Sequence, residues 1–184
     1  MKLEEVISDI ADSISSFDAA GSRFREFKPG VGPFGEPQLV KQVAVYLNSL
    51  TMYNGSVQTK RCPDLLIPKN WAIEIKIARP YGDNGKEAES WSVNLLHPYR
   101  GNTSSIGDCY KLLSLTTPEK KAVLVIGYEH VPAKIDLAPL VRSFETIATS
   151  VNDIKLGPRI ERCCSGLIHP VHQIAKLFAW EVLL

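Results

Sequence analysis

The sequence predicts one α/β domain in which a mixed central sheet is flanked by helices. Over roughly residues 36–129 the apolar spacing switches between helical and strand periods in the order α-β-β-β-α-β. The run Lys121 to Tyr128, KAVLVIGY, is the nearly continuous apolar stretch expected of a strand covered on both faces. A hydrophobic content of 45% over 184 residues is enough for one substantial core and requires no second domain.

Within residues 1–35, Leu3, Val6, Ile7, Ile10, Ile14 and Phe17 lie at helical spacing and predict an amphipathic helix over 3–17. Pro29-Gly30-Val31-Gly32-Pro33 then reads as a loop or tight turn. The core section, 36–129, opens on Glu36-Pro37, with proline in the first turn where its missing N–H costs nothing. Leu39, Val40, Val43, Ala44, Leu47 and Leu50 give that helix one buried stripe. Strands are expected at about 56–61, 63–67 and 71–78, the last two joined as a hairpin by Pro68-Lys69-Asn70. A helix over 104–116 follows, with Ser105 and Asp108 fitting a short capping-box variant ahead of Cys109, Leu112 and Leu113. The closing section, 130–184, contains a predicted helix at 135–149 and a tail of mixed signals, read as strands ending in Leu177 to Val182.

The formal charge of +1 argues against indiscriminate polyanion binding and leaves room for a local basic groove. No apolar window is long enough to span a bilayer, and the acidic Met1-Lys2-Leu3-Glu4-Glu5 start does not resemble a secretory signal, so a cytoplasmic protein without a membrane partner is expected. The cysteines at 62, 109, 163 and 164 form no C-x-x-C pair, which fits free thiols in a reducing compartment. Cys163, Cys164, His169 and His172 lack zinc-site spacing, and Pro170 interrupts any regular His-x-x-His face.

The chemistry concentrates in CPDLLIPKNWAIEIKIARP. Alternation along a strand from Trp71 to Ala78 puts Ile73, Ile75 and Ile77 on one face and Glu74 and Lys76 on the other. Asp64 precedes the apolar Leu65-Leu66-Ile67, so a hairpin would bring Asp64 and Glu74 together across it. The tripeptide [Asp/Glu]-x-Lys alone carries no information. It also occurs at Glu26, Glu119 and Asp153, but those copies border turn residues such as Pro29-Gly30, Pro118 and Gly157-Pro158. Only Glu74 sits inside an alternating apolar strand, and only it follows Pro63-Asp64.

Pro63, Asp64, Glu74 and Lys76 resemble, position by position, the motif of the PD-(D/E)xK nuclease superfamily, which includes restriction endonucleases, junction resolvases and phage exonucleases. The resemblance implies a restriction-endonuclease-like αβββαβ core. It implies Asp64 and Glu74 as ligands of a catalytic Mg²⁺, with Mn²⁺ able to substitute, and Lys76 orienting or deprotonating the attacking water. Two oxygen ligands on rigid strands suit Mg²⁺, which retains waters and binds substrate phosphate directly. Glu36, at the start of the same face as Leu39 and Val40, is the further acid that the resemblance carries over.

Residues 79–103 form a connection long enough to expect a functional role. Arg79, Lys86, His97, Tyr99, Arg100 and Asn102 within it have the composition of phosphate and base contacts. The following helix start near Ser105 offers backbone N–H groups to a phosphate. Lys60 and Arg61 add charge before Asp64, and Lys111 is a further polar candidate. The resemblance and these features together predict a Mg²⁺-dependent DNA endonuclease of site-specific restriction type; two-fold palindromic sites would favour a homodimer, and a restriction role would imply a cognate methyltransferase acting on the same DNA site. A repair, recombination or junction-resolving nuclease, or a binding module on the same scaffold, is the alternative.

Overall fold

The computed structural model describes residues 1–99, 101 and 103–183. Helix α1 (Leu3–Ala19) buries Leu3, Val6, Ile7, Ile10 and Ile14 on one stripe. Helix α2 (Glu36–Ser49) starts at Glu36 with Pro37 in its first turn. Strands β1 (Gln58–Thr59), β2 (Leu65–Ile67) and β3 (Trp71–Ala78) follow as an antiparallel meander. Helices α3 (Val93–Leu96) and α4 (Ser105–Ser114) cross to β4 (Lys120–Glu129), which runs parallel to β3. Helix α5 (Ala138–Thr146), continued by a wider turn over Ile147–Val151, leads to β5 (Lys155–Leu156), β6 (Ile160–Ser165) and β7 (Ile174–Leu183).

The seven strands form one open, mostly antiparallel mixed sheet in the order β1-β2-β3-β4-β7-β5, with β6 sharing the far edge of β7. The β3–β4 contact is its one parallel pairing among the described residues. Such a pairing needs a crossover, which the connection through α3 and α4 supplies.

Helices cover both faces. Ile73, Ile75 and Ile77 of β3 pack with Leu124, Ile126 and Leu177 under α1 and α2. Ala72 and Ala78, from the opposite face of the same strand, pack with Val123, Val125, Phe178 and Trp180 under α4 and α5. Both central strands are therefore buried on two sides, the reason KAVLVIGY reads as a continuous apolar run. Among the described residues no helix is long and apolar enough to cross a membrane.

Several expectations shift in detail. The first two strands are shorter than the alternation implied, because β1 is an edge of only two residues and β2 spans three. The helix expected at 135–149 begins at Ala138, with Leu137 capping it from a bend. The cap of α4 is Ser104, whose hydroxyl accepts from the Gly107 N–H at 3.2 Å, and not the Ser105/Asp108 pair. Asp108 faces the sheet instead of capping its own helix.

Candidate active site

Leu65 pairs with Ile73, so the next position outward on each strand sets Asp64 opposite Glu74. Pro68-Lys69-Asn70 fixes this register by turning the chain, with Lys69 at a left-handed φ of 64° and the Asn70 N–H donating to the Ile67 carbonyl at 3.0 Å. The Ile75 N–H then donates to Asp64 Oδ2 at 2.9 Å, which locks the Asp64 carboxylate against β3. Side-chain alternation on β3 turns Glu74 and Lys76 away from the isoleucine face and toward α4.

That face is not solvated, as an ordinary Glu/Lys strand face would be. Glu74 is 3% exposed, and its Oε1 has no hydrogen-bond partner among the described residues. Burial, the neighbouring Asp64 and the nearby Asp108 push the Glu74 carboxyl up to about 8, against the opposing pull of the Cys62 thiol. Asp64 is also raised, by burial first, although the Ile75 N–H and a hydrogen bond with Glu74 hold it down. In the absence of a cation the two carboxyls therefore share a proton, as close like charges in a poorly solvated site must.

Lys76 reaches across the same face to Asp108 Oδ2 at 3.1 Å and Glu36 Oε1 at 3.5 Å. Burial alone would lower the Lys76 ammonium, but Asp108 and Glu36 outweigh it and raise it above its ordinary value. Glu36 itself is raised by burial despite Lys76. The helices α2 and α4 thus each deliver one acid to the lysine on β3.

Asp108 is the site residue that sequence reasoning missed. It is fully buried and holds Lys111 Nζ at 2.7 Å through its other oxygen. A signal for it existed: an acid at the fourth position of α4 lies on the same helix face as Cys109 and Leu112, an inward stripe where a charge needs a partner. Cys62 is the second addition. Burial and the Glu74 carboxylate push its thiol up to about 12, so it donates to Glu74 as a neutral group.

The remaining predicted contacts scatter. Lys60 and Arg61 are exposed and line a cleft with Asp64. Lys111 lies at the rim, next to Asp108. Lys86 is exposed in the turn closed by the Tyr81–Glu87 bridge, His97 caps α3, and Tyr99 is 72% exposed. Arg79 lends its guanidinium to the protein, donating from Nη2 to the Phe34 carbonyl at 2.8 Å and from Nη1 to the Pro33 carbonyl at 3.3 Å. Ser105 is fully buried in the first turn of α4, so its hydroxyl faces the interior. Arg100 and Asn102 lie outside the described residues.

The cysteine and histidine group of the C-terminal section does not converge. Cys164 donates to the Ala11 carbonyl at 3.3 Å, Cys163 is exposed on the other face of β6, and His169 and His172 stack on each other beside the 81–83 segment. No ready-made group of three His, Cys, Asp or Glu ligands occurs among the described residues. No protein-family model, curated protein or solved structure matches this chain.

Proposed function

We propose that this chain is a Mg²⁺-dependent DNA endonuclease with a restriction-endonuclease-like core, hydrolysing phosphodiester bonds at Asp64, Glu74 and Lys76. The observation that carries the reading is the opposition of Asp64 and Glu74 across the β2/β3 register, with a buried Glu74 oxygen left without a partner. The order α2-β1-β2-β3-α4-β4, with β3 and β4 parallel, supports the same reading.

The donor set fits a hard divalent cation. Two carboxyls that share one proton would exchange it for the metal, and carboxylate oxygens are the ligands Mg²⁺ and Mn²⁺ prefer. Asp64 and Glu74 would hold the ion, which supplies polarisation of the scissile phosphate.

The chain's own groups account for the rest. Lys76, kept protonated by Asp108 and Glu36, orients the attacking water and offsets charge developing on the phosphorane; it does not act as the base. Glu36, raised by burial and 3.5 Å from Lys76 Nζ, is suited to accept the proton that water loses as its oxygen bonds to phosphorus, while the P–O bond to the leaving oxygen breaks and that oxygen takes a proton from solvent water. The near-neutral chain favours selective over indiscriminate cutting, and a two-fold palindromic site would call for a homodimer.

Incubation with mixed plasmid and phage DNA plus Mg²⁺ tests this directly. Discrete bands that disappear with Asp64→Ala are expected. A smear would point to general degradation. Binding with no cleavage in either Mg²⁺ or Mn²⁺ would make the chain a binding module and end the nuclease reading.

A further inference from the structure

The cleft that Asp64 helps to line carries a cation that the sequence motifs did not single out. It has a volume of about 500 Å³ and is lined by Pro37, Val40 and Lys41 of α2 and by Thr59, Lys60, Arg61 and Asp64 on the β1 side. Lys41 is exposed and lies off the inward stripe formed by Leu39, Val40, Val43, Ala44 and Leu47. Lys60 and Arg61 face it from the end of β1, the edge strand of the sheet.

None of these three cations takes part in an ion pair among the described residues. Lys76, Lys111, Lys120, Lys176 and Arg159, by contrast, each have a carboxylate partner. Three cations without a direct ion pair line one cleft beside a single carboxylate, Asp64, with Glu119 acting on Lys60 from further off, so the cleft keeps a positive balance that attracts an extended anion. The apolar floor of Pro37 and Val40 suits a sugar edge, and the cationic walls suit the phosphates on either side of it.

We infer that this cleft is the track along which the nucleic-acid backbone runs to or from the scissile bond, with Lys41, Lys60 and Arg61 each contacting a phosphate. The inference rests on the phosphodiesterase reading for its direction, since Asp64 is among the residues that line the cleft. It places the substrate between α2 and the β1 edge.

The test uses the full chain and a fluorescently labelled DNA duplex, with anisotropy read at increasing NaCl in divalent-free buffer. Removing each cation, as Lys41→Ala, Lys60→Ala and Arg61→Ala, lowers the slope of log binding constant against log salt by about one per residue, because one fewer counterion is released. Lys155→Ala, on β5 at the opposite end of the sheet order, serves as the charge-matched control and leaves the slope unchanged. Equal slopes for the triple variant and the control overturn the track, as does displacement of the DNA by polyglutamate as efficiently as by unlabelled DNA.

Cleavage by the parent chain in Mg²⁺ is measured alongside. Cleavage that persists in the triple variant with unchanged binding removes the track and keeps the nuclease. Loss of binding in the triple variant of a chain that never cuts keeps the track and removes the nuclease.

Discussion

The cluster around Asp18, Asp83, His169 and His172 and the cluster around Asp64, Glu74, Lys76 and Asp108 both bury ionisable groups, yet they hold them by different means. Asp18 is buried at the end of α1, where its two oxygens accept from the Val31 N–H at 2.9 Å and the Ile168 N–H at 2.8 Å. His169 Nδ1 accepts from the Val171 and His172 N–H groups, which leaves the proton on Nε2 to be donated to Asp83 at 2.7 Å. His172 donates from Nε2 to the Tyr81 carbonyl at 2.8 Å, and burial lowers it to about 4, so it stays neutral. Main-chain donors and acceptors fix every one of these links except the His169–Asp83 contact. In the Asp64 cluster, the side chains hold chiefly one another, and four acids face two lysines. Fixed main-chain partners make a staple, whereas mutually repelling carboxylates with displaced protonation are the arrangement that the proposed divalent cation would complete.

The sharpest way to break this contrast is to disable one member of each cluster. Lys76→Ala should cut the rate of Mg²⁺-dependent cleavage by about 10³-fold, the scale of losing one preorganised charge at a reacting oxygen. It should leave the circular dichroism spectrum intact. Retention of more than a tenth of the parent rate would remove Lys76 from the site. Asp18→Ala should do the opposite, costing about 4 kcal/mol in urea unfolding because two buried N–H groups lose their acceptor. Activity per folded molecule should be unchanged. A cost below about 1 kcal/mol would show that water replaces the carboxylate and that the staple is dispensable.

The fold was legible where one physical rule acted alone. Glu36-Pro37 marks the start of α2, and the observed helix begins there, because proline tolerates only the first turn. The run over 121–128 matches β4 to within a residue at each end, since burial on both faces leaves little room for polar residues. The Asp64/Glu74 opposition followed from turn chemistry plus strand alternation, both local. Asp108 was legible only as an acid on the inward stripe of α4; its partner was not, because the pairing with Lys76 depends on α4 packing across β3, a long-range contact that no spacing reports. The protein partners of Arg79 were hidden for the same reason. The carbonyls of Pro33 and Phe34 that its guanidinium reaches are distant from it in sequence. The histidine staple was hidden likewise, since its partners lie in the 81–83 segment.

Gly32 sharpens the comparison from the structural side. A Cβ at this position would meet His172 Nδ1 at 2.3 Å and its Cγ at 2.5 Å, so the loop depends on glycine for its approach to the buried ring. Gly32→Ala should therefore cost about 2 kcal/mol through overpacking, read as a lowered urea midpoint with no change in cleavage per folded molecule. A neutral outcome would mean that the imidazole moves freely and that the cluster is softer than its hydrogen bonds imply.

The remaining expected effect has the opposite sign and belongs to the acidic cluster. Glu74 titrates near its ordinary value of 4.5 in the unfolded chain and at about 8 in the fold. In divalent-free buffer the folded state therefore holds more protons throughout that window, and stability must fall as pH rises through it. The favourable contribution is complete below about 4.5 and lost above about 8. Glu74→Gln carries no charge at any pH and should remove most of the decline, so that at pH about 8.5 the variant is more stable than the parent by several kcal/mol, at about 1.4 kcal/mol for each pH unit between the two values, with the difference vanishing toward acid. Urea midpoints measured against pH in EDTA would show this. Parallel profiles for the two chains would mean that Glu74 is already solvated or paired, and the distinction between the two clusters would lose its electrostatic basis.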